Sequence, residues 1–216
     1  MSALFPRWSN LAFRTVLLVG AIGAVAVPFF LMGWVRTPAV TQQYHRPAQP
    51  VPFNHVIHVH GLGIDCRYCH STVERAATAG IPATSVCVPC HNQTWMQSPA
   101  FAAVRRSLST DMPIPWQRVN RLPDFVYFNH AIHVNKGVGC ETCHGRVDRM
   151  TQVDQAAPLT MGWCLDCHRH PERYLRPVAQ MTTMGWTPER PQREVGEELM
   201  ERYKVRHLTN CTTCHR

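Results

Sequence analysis

Ten cysteines and not one to spare constrain this 216-residue chain more than any other feature. They fall into five C-x-x-C-H motifs: Cys66/Cys69/His70, Cys87/Cys90/His91, Cys140/Cys143/His144, Cys164/Cys167/His168 and Cys211/Cys214/His215. Two thiols three positions apart lie on one side of a single turn, where they can add to the two vinyl groups of one porphyrin. The next residue then directs its imidazole at the iron. A zinc ribbon does not require histidine after every second cysteine. A disulfide framework explains neither the histidines nor the uniform spacing, and thioredoxin-like motifs come singly beside a βαβ pattern. The spacing therefore predicts five covalently bound haem c groups, with all ten cysteines as attachment points and His70, His91, His144, His168 and His215 as proximal iron ligands.

That prediction bounds the fold. Behind the apolar N-terminal stretch there are roughly 36 residues per haem, too few for a conventional hydrophobic core. The porphyrins must supply much of the interior. Seventeen prolines and little alternating apolar pattern predict a mostly α domain with extensive loops rather than sheets. The formal charge of +8 would suggest a nucleic-acid partner, but five haems add roughly −10 through their propionates. The arginine excess reads as propionate partners, and no nucleic acid is implied.

Residues 1–36 read as a cytoplasmic tip and a transmembrane anchor. No residue from Thr15 to Val35 is charged, Arg14 and Arg36 flank the run, and Trp34 suits an interfacial position. Pro28 can kink the span, and Gly20 and Gly23 could admit a neighbouring helix. Ala24-Val25-Ala26 resembles a signal-peptidase site, yet the apolar run continues through Phe29, Phe30, Leu31 and Met32, which favours an uncleaved single pass. Flanking charges are balanced. Attachment of haem to C-x-x-C-H on the exported side sets the orientation instead, with the haem domain on the periplasmic face of a bacterial inner membrane.

Residues 37–216 read as the haem domain, entered through a Pro-rich linker at 37–52. An internal repeat organises it. Phe53-Asn54-His55-Val56-Ile57-His58-Val59 precedes two motifs, and Phe128-Asn129-His130-Ala131-Ile132-His133-Val134 precedes two more. The duplicated two-haem units span about 53–91 and 128–168, with Val73-Glu74-Arg75 matching Val147-Asp148-Arg149. Residues 92–127 join them through a basic helix near 101–107 and a Pro-rich run. Residues 169–193, with Pro171, Pro177, Pro188 and Pro191, offer no helix interior. A helix over 194–204 leads to the fifth haem in 194–216, acidic early and basic late.

Thirteen histidines exceed the five proximal ones by eight. His55 and His58, like His130 and His133, are three apart and share a helical face. They cannot sandwich one iron, but each can reach a different one, which makes all four expected sixth ligands. For the fifth haem His45, His60, His170, His207, Met150 and Met161 stay open, and a methionine ligand would raise the potential. Closed ligation suits electron transfer. No catalytic residue is expected, because an enzyme would need an open iron.

The F-x-H-x-x-H…C-x-x-C-H unit resembles the class III, c3/c7-like multihaem cytochromes. The single span, LGIDCRYCH, AGIPATSVCVPCH, PIPWQRVNRLPDFVYFNHAIH, MGWCLDCHRHPERYLRP and LTNCTTCHR together are similar to the pentahaem cytochrome c subunits of alternative complex III over nearly the whole chain. The resemblance implies an electron-transfer subunit of a quinol-oxidising respiratory or photosynthetic complex. Its implied partners are an iron–sulfur subunit, polytopic quinol-binding subunits, a monohaem cytochrome c or terminal oxidase, and the lipid membrane. The alternative is a membrane-anchored quinol dehydrogenase of the NapC/NrfH kind, in which the subunit itself touches quinol.

Overall fold

The computed structural model describes residues 5–215; the first four residues of the expected anchor segment lie outside them. The chain divides at Thr41 into two compact units, five residues beyond the boundary expected at 36. The first is dominated by α1 (Ser9–Trp34), followed by the short α2 (Pro38–Thr41). At 1.5 Å per residue the 26-residue α1 is about 39 Å long, more than the ~30 Å of a hydrocarbon core. None of its residues is buried, and Leu11, Val16, Val19, Val25 and Phe29 are each more than 60% exposed. This one helix is long and apolar enough to cross a membrane. Pro28 sits inside it. Near its ends polar side chains return to backbone carbonyls, Thr15 Oγ1 donating to Leu11 O at 2.9 Å and Arg36 Nη1 to Met32 O at 2.7 Å.

The second unit, from Gln42 onward, is a run of short helices joined by loops. After a π-helix at Val56–Gly61 come α3 (Cys66–Cys69), α4 (Val88–His91), α5 (Ala102–Thr110) and α6 (His130–Asn135). Then follow α7 (Cys140–His144), α8 (Met161–Arg169), α9 (Gln192–Tyr203) and α10 (Cys211–Cys214). Among the described residues β-structure is confined to an isolated bridge between Val138 and Leu175. Among the described residues ten apolar ones are buried, and most fall in two small clusters. Val51, Val104 and Ile114 form one, and Val73, Val134 and Met181 the other. So few buried side chains make a small core for a unit of this length, as expected of protein wrapped around porphyrins.

The expected linker is not a free tether beyond Gln42. The amide of Tyr44 donates to Gln155 O (2.8 Å), Gln43 Nε2 to Ala156 O (2.7 Å), and Gln49 pairs with the backbone of Gln117 in both directions. Arg46 reaches the buried carboxylate of Asp154 at 2.8 Å, and Val51 joins the first cluster. Extended Pro-rich chain leaves its backbone groups unpaired, and here the 154–156 loop supplies partners.

The two repeat units dock by exchange. The second unit's α6 lies on the first unit's spacer: His130 N donates to Ala77 O (3.1 Å), Ala131 N to Ala76 O (3.2 Å) and Asn135 Nδ2 to Glu74 O (2.9 Å). Reciprocally, the first unit's π-helix packs on the second spacer at Val147–Arg149. The repeated Val-acidic-Arg triplet therefore marks where each unit receives the other's histidine helix, as in an isologous contact between copies.

Several arginines have protein partners rather than being free for propionates. Arg67 pairs with Asp65 and Glu74, Arg146 with Asp148 and Glu141, Arg176 with Glu141, and Arg190 and Arg202 with Glu198. Between the end of α8 at Arg169 and the start of α9 at Gln192, helix is limited to 3₁₀ turns at Pro171–Arg173 and Val178–Gln180. Packed on this stretch, α9 buries Leu199 and ends at Lys204, whose left-handed φ of 54° breaks the helix. A Cβ on Gly196 would stand 1.9 Å from Glu172 O, so only glycine lets α9 approach this turn. Gly196→Ala is expected to cost ~1–3 kcal/mol or more in denaturant unfolding of the holoprotein. Gly162→Ala, where a Cβ meets nothing within 4 Å, serves as the control.

Candidate haem-binding site

Each C-x-x-C-H motif lies on, or ends, a short helix. One turn sets its two thiols on a common side. The turn closes on the histidine: His70 N donates to Cys66 O (2.8 Å), His91 N to Cys87 O (3.1 Å) and His215 N to Cys211 O (2.9 Å). Asp65 caps α3, accepting from Arg67 N at 2.8 Å, and Thr160 Oγ1 caps α8 through Trp163 N at 3.4 Å.

The other letters of the repeat acquire roles as well. Phe53 stacks on His58 (4.3 Å between ring centroids, 26°) and meets His55 edge-on (4.8 Å, 81°). Phe128 treats His133 (4.4 Å, 31°) and His130 (4.8 Å, 86°) almost identically. One aromatic ring thus fixes two imidazoles at different orientations. The asparagine beside it turns the chain. Asn54 Oδ1 accepts from Val56 N, and Asn129 Oδ1 from Ile132 N. Their backbone carbonyls accept from His58 Nδ1 (2.8 Å) and His133 Nδ1 (2.7 Å). The two copies differ locally, since His55 precedes a π-helix while His130 opens an α-helix.

Each histidine of a pair faces a different motif. The His58 ring is 6.1 Å from that of His91, His133 is 6.1 Å from His168, and His130 is 6.3 Å from His144 and nearly parallel to it, at 6°. His55 lies beside His70, whose ring helps to lower the His55 pKa. Two imidazoles bound through nitrogen to one metal at about 2.0–2.1 Å have ring centres about 6.3 Å apart. The three measured spacings match that value.

Protonation and hydrogen bonding fit the same use. Burial, then His70 and His58, push the His55 pKa down to about 4. Burial, then His130 and His70, do the same for His144. Burial also lowers that of His133. Neutral imidazole is the ligating form. Backbone carbonyls lie within hydrogen-bond reach of Nδ1 of His58, His70, His130, His133, His207 and His215. Donation there fixes the ring and leaves Nε2 as the donor to a metal. Beside His144 the partner is Asn120, whose Nδ2 stands 3.1 Å from Nδ1 while its own Oδ1 is buried and unpartnered. With the amide turned over, Oδ1 takes that place and accepts from Nδ1–H.

The fifth motif is held differently. His215 Nδ1 is 3.0 Å from Phe125 O, and Tyr127 N donates to Cys214 O at 2.9 Å. Of the open sixth ligands, His207 alone shares the Nδ1 arrangement, with Arg169 O at 3.0 Å. His170 Nδ1 faces Glu172 at 3.6 Å. His45 belongs to the docked entry segment through Gln155 N, and His60 is exposed at the end of the π-helix. Met150 Cε would be 3.3 Å from a Cβ on Gly145 and packs behind α7, whereas Met161 is exposed at the start of α8.

Residues 126–216 match the family described as cytochrome c7 and related cytochrome c. A protein of Nitratidesulfovibrio vulgaris (strain Hildenborough), the multihaem cytochrome c subunit of a menaquinone reductase, is 30% identical over 173 residues, covering 76% of this chain and 80% of its own. The chain belongs to the c7-like multihaem cytochromes c. Members of this family carry covalently attached haem c, whose iron supplies reversible one-electron chemistry. In this multihaem cytochrome the residues missed from sequence are Phe53, Phe128, Asn54, Asn129 and Asn120. The first four were visible as repeated letters. Asn120 gave no signal, because it lies outside both repeats.

Two outcomes test these contacts. Asn120→Leu leaves a buried N–H of His144 unpaired and should cost ~1–3 kcal/mol in holoprotein unfolding, with one haem potential raised in a redox titration. Asp65 has its pKa held down at about 2, first by the hydrogen bond from Arg67, with help from Thr182. Its ionised form therefore stabilises the fold fully above about pH 4 and loses that effect as pH falls towards 2. Asp65→Asn should flatten the acid-unfolding profile over that interval.

Proposed function

We propose that the chain is a membrane-anchored pentahaem cytochrome c that relays electrons within a quinone-linked complex. The facing imidazoles are the observation that carries this reading. Cys66 and Cys69, Cys87 and Cys90, Cys140 and Cys143, Cys164 and Cys167, and Cys211 and Cys214 would hold five haems, with the following histidines as proximal ligands. His55, His58, His130 and His133 would close the irons opposite His70, His91, His144 and His168, and His207, Met150 or Met161 the fifth. With both axial positions taken by the chain, substrate has no access to the metal. The protein's contribution is to hold ligands still, so that little rearranges when an electron arrives. α1 would anchor the domain, residues 37–216, to the periplasmic face of the inner membrane.

The complex proposed is a quinol-oxidising assembly of the alternative complex III kind, with iron–sulfur and polytopic quinol-binding partners and a monohaem cytochrome c or another acceptor downstream. A second reading has one specific support. The Nitratidesulfovibrio relative is named for a menaquinone reductase, which implies electrons travelling from haems towards quinone. Purified whole complex in liposomes separates the two. Haem reduction by added menaquinol supports the first direction, and oxidation of pre-reduced haems by menaquinone supports the second. Reduction of the isolated subunit by quinol would instead favour a NapC/NrfH-type dehydrogenase.

For the ligation itself, five haems per chain are expected by pyridine haemochrome, at least four of them low-spin bis-histidine by electron paramagnetic resonance. Carbon monoxide should bind at most one reduced haem per chain. Binding at several would overturn the closed-site reading.

A further inference from the structure

The five motifs are numbered along the chain, but their spatial order is different. We infer that the attachment sites form one unbranched file, running 87–91, 66–70, 140–144, 164–168, 211–215, so that the two ends are the second and fifth motifs. The inference rests on the reading above that every motif holds a haem.

Each junction has its own geometry. The first unit's two sites are tied by one turn, since His58 faces His91 while His55, three residues earlier, lies beside His70. Cys69 and Cys87 are neighbours there. The second unit repeats the arrangement, with His130 and His133 facing His144 and His168 and with Cys143 beside Cys164 and Cys167.

Reciprocal docking decides which sites meet across the units. His130, facing the 140–144 site, is bound by main chain and ring to Ala77 O, on the spacer that follows the 66–70 site. Thr182 Oγ1 donates to Asp65 at 2.8 Å beside Cys66, while the adjacent Met181 O accepts from Cys140 N at 3.1 Å. Val73, Val134 and Met181 share a cluster against which Cys140 packs. The side chains of Cys66 and Cys140 touch, and His70 stands close to His144. The central junction is thus between the first motif of each unit, as a two-fold exchange requires, and the second motifs are turned outward.

The fifth site adds to one end. Tyr127 N bonds Cys214 O just before the Phe128–His133 segment, His207 reaches Arg169 O beside His168, and Cys164 neighbours Cys214. It extends the file from the 164–168 site. The file therefore has its ports at Cys87–His91 and Cys211–His215, and Cys66–His70, first in sequence, is internal.

Holoprotein with single ligand exchanges tests this. A methionine ligand raises a haem's potential, so relative to the unsubstituted protein the 140–144 haem moves to earlier reduction in His130→Met, and the 87–91 haem in His58→Met. Haem-methyl NMR during titration then counts the haems whose shifts change when that iron loses its paramagnetism. Two neighbours are expected for His130→Met and one for His58→Met. Two or more for His58→Met, or one for His130→Met, would overturn the file. If His130→Met does not accumulate, His133→Met carries the same test, with two neighbours expected and one overturning it. Haem content of the unsubstituted protein is measured first. Fewer than five per chain would overturn the five-site reading itself, which is distinguishable from a wrong order.

Discussion

A histidine ring held at Nδ1 by a backbone carbonyl is the interaction on which the rest of this domain depends. It fixes the tautomer, aims Nε2 and removes ring rotation in one contact. Asn54, Ala77, Gly80, Phe125, Asn129 and Arg169 supply those carbonyls. Every one belongs to a loop, cap or helix end rather than to a helix interior. This gives a physical reason for the many short helices. Long helices would have consumed the acceptors that the histidines need.

The same economy shapes the packing. With few buried apolar side chains, the second unit relies on side chains that serve two neighbours at once. Phe53 and Phe128 each set two imidazoles, and Glu141 binds both Arg176 and the amide of Gly185. Arg176 is itself buried and lies over the Trp186 ring at 5.2 Å. Charge pairing does structural work here that apolar contacts do in larger cores, and the arginines so engaged are withdrawn from the propionate role that composition suggested.

Duplication adds a further level. Two copies of one unit could have been strung as beads, each closing on its own spacer. Instead each histidine helix is received by the other copy, so neither copy completes its own surroundings. Folding of the pair is coupled by that exchange, and the contact it creates brings the first motif of each copy together.

How much was legible beforehand depended on the range of the interaction. C-x-x-C-H is local chemistry within one turn, so all five motifs, and the histidine spacing that forbids a shared iron, could be read directly. The apolar run of α1 was legible for the same reason, and so was α9, whose observed start at Gln192 lies two residues before the expected one. The docking of 43–46 along 154–156 and of Gln49 on Gln117 was not, because hydrogen bonds between extended segments leave no periodic trace. Nor was Asn120, which acts on His144 across 24 residues. By itself the sequence determined the five motifs and their candidate ligands, since those need only residue type and spacing within a turn. Only the tertiary structure decided which site stands beside which, because that order follows from how the two copies exchange their helices, a contact between segments that no local pattern encodes.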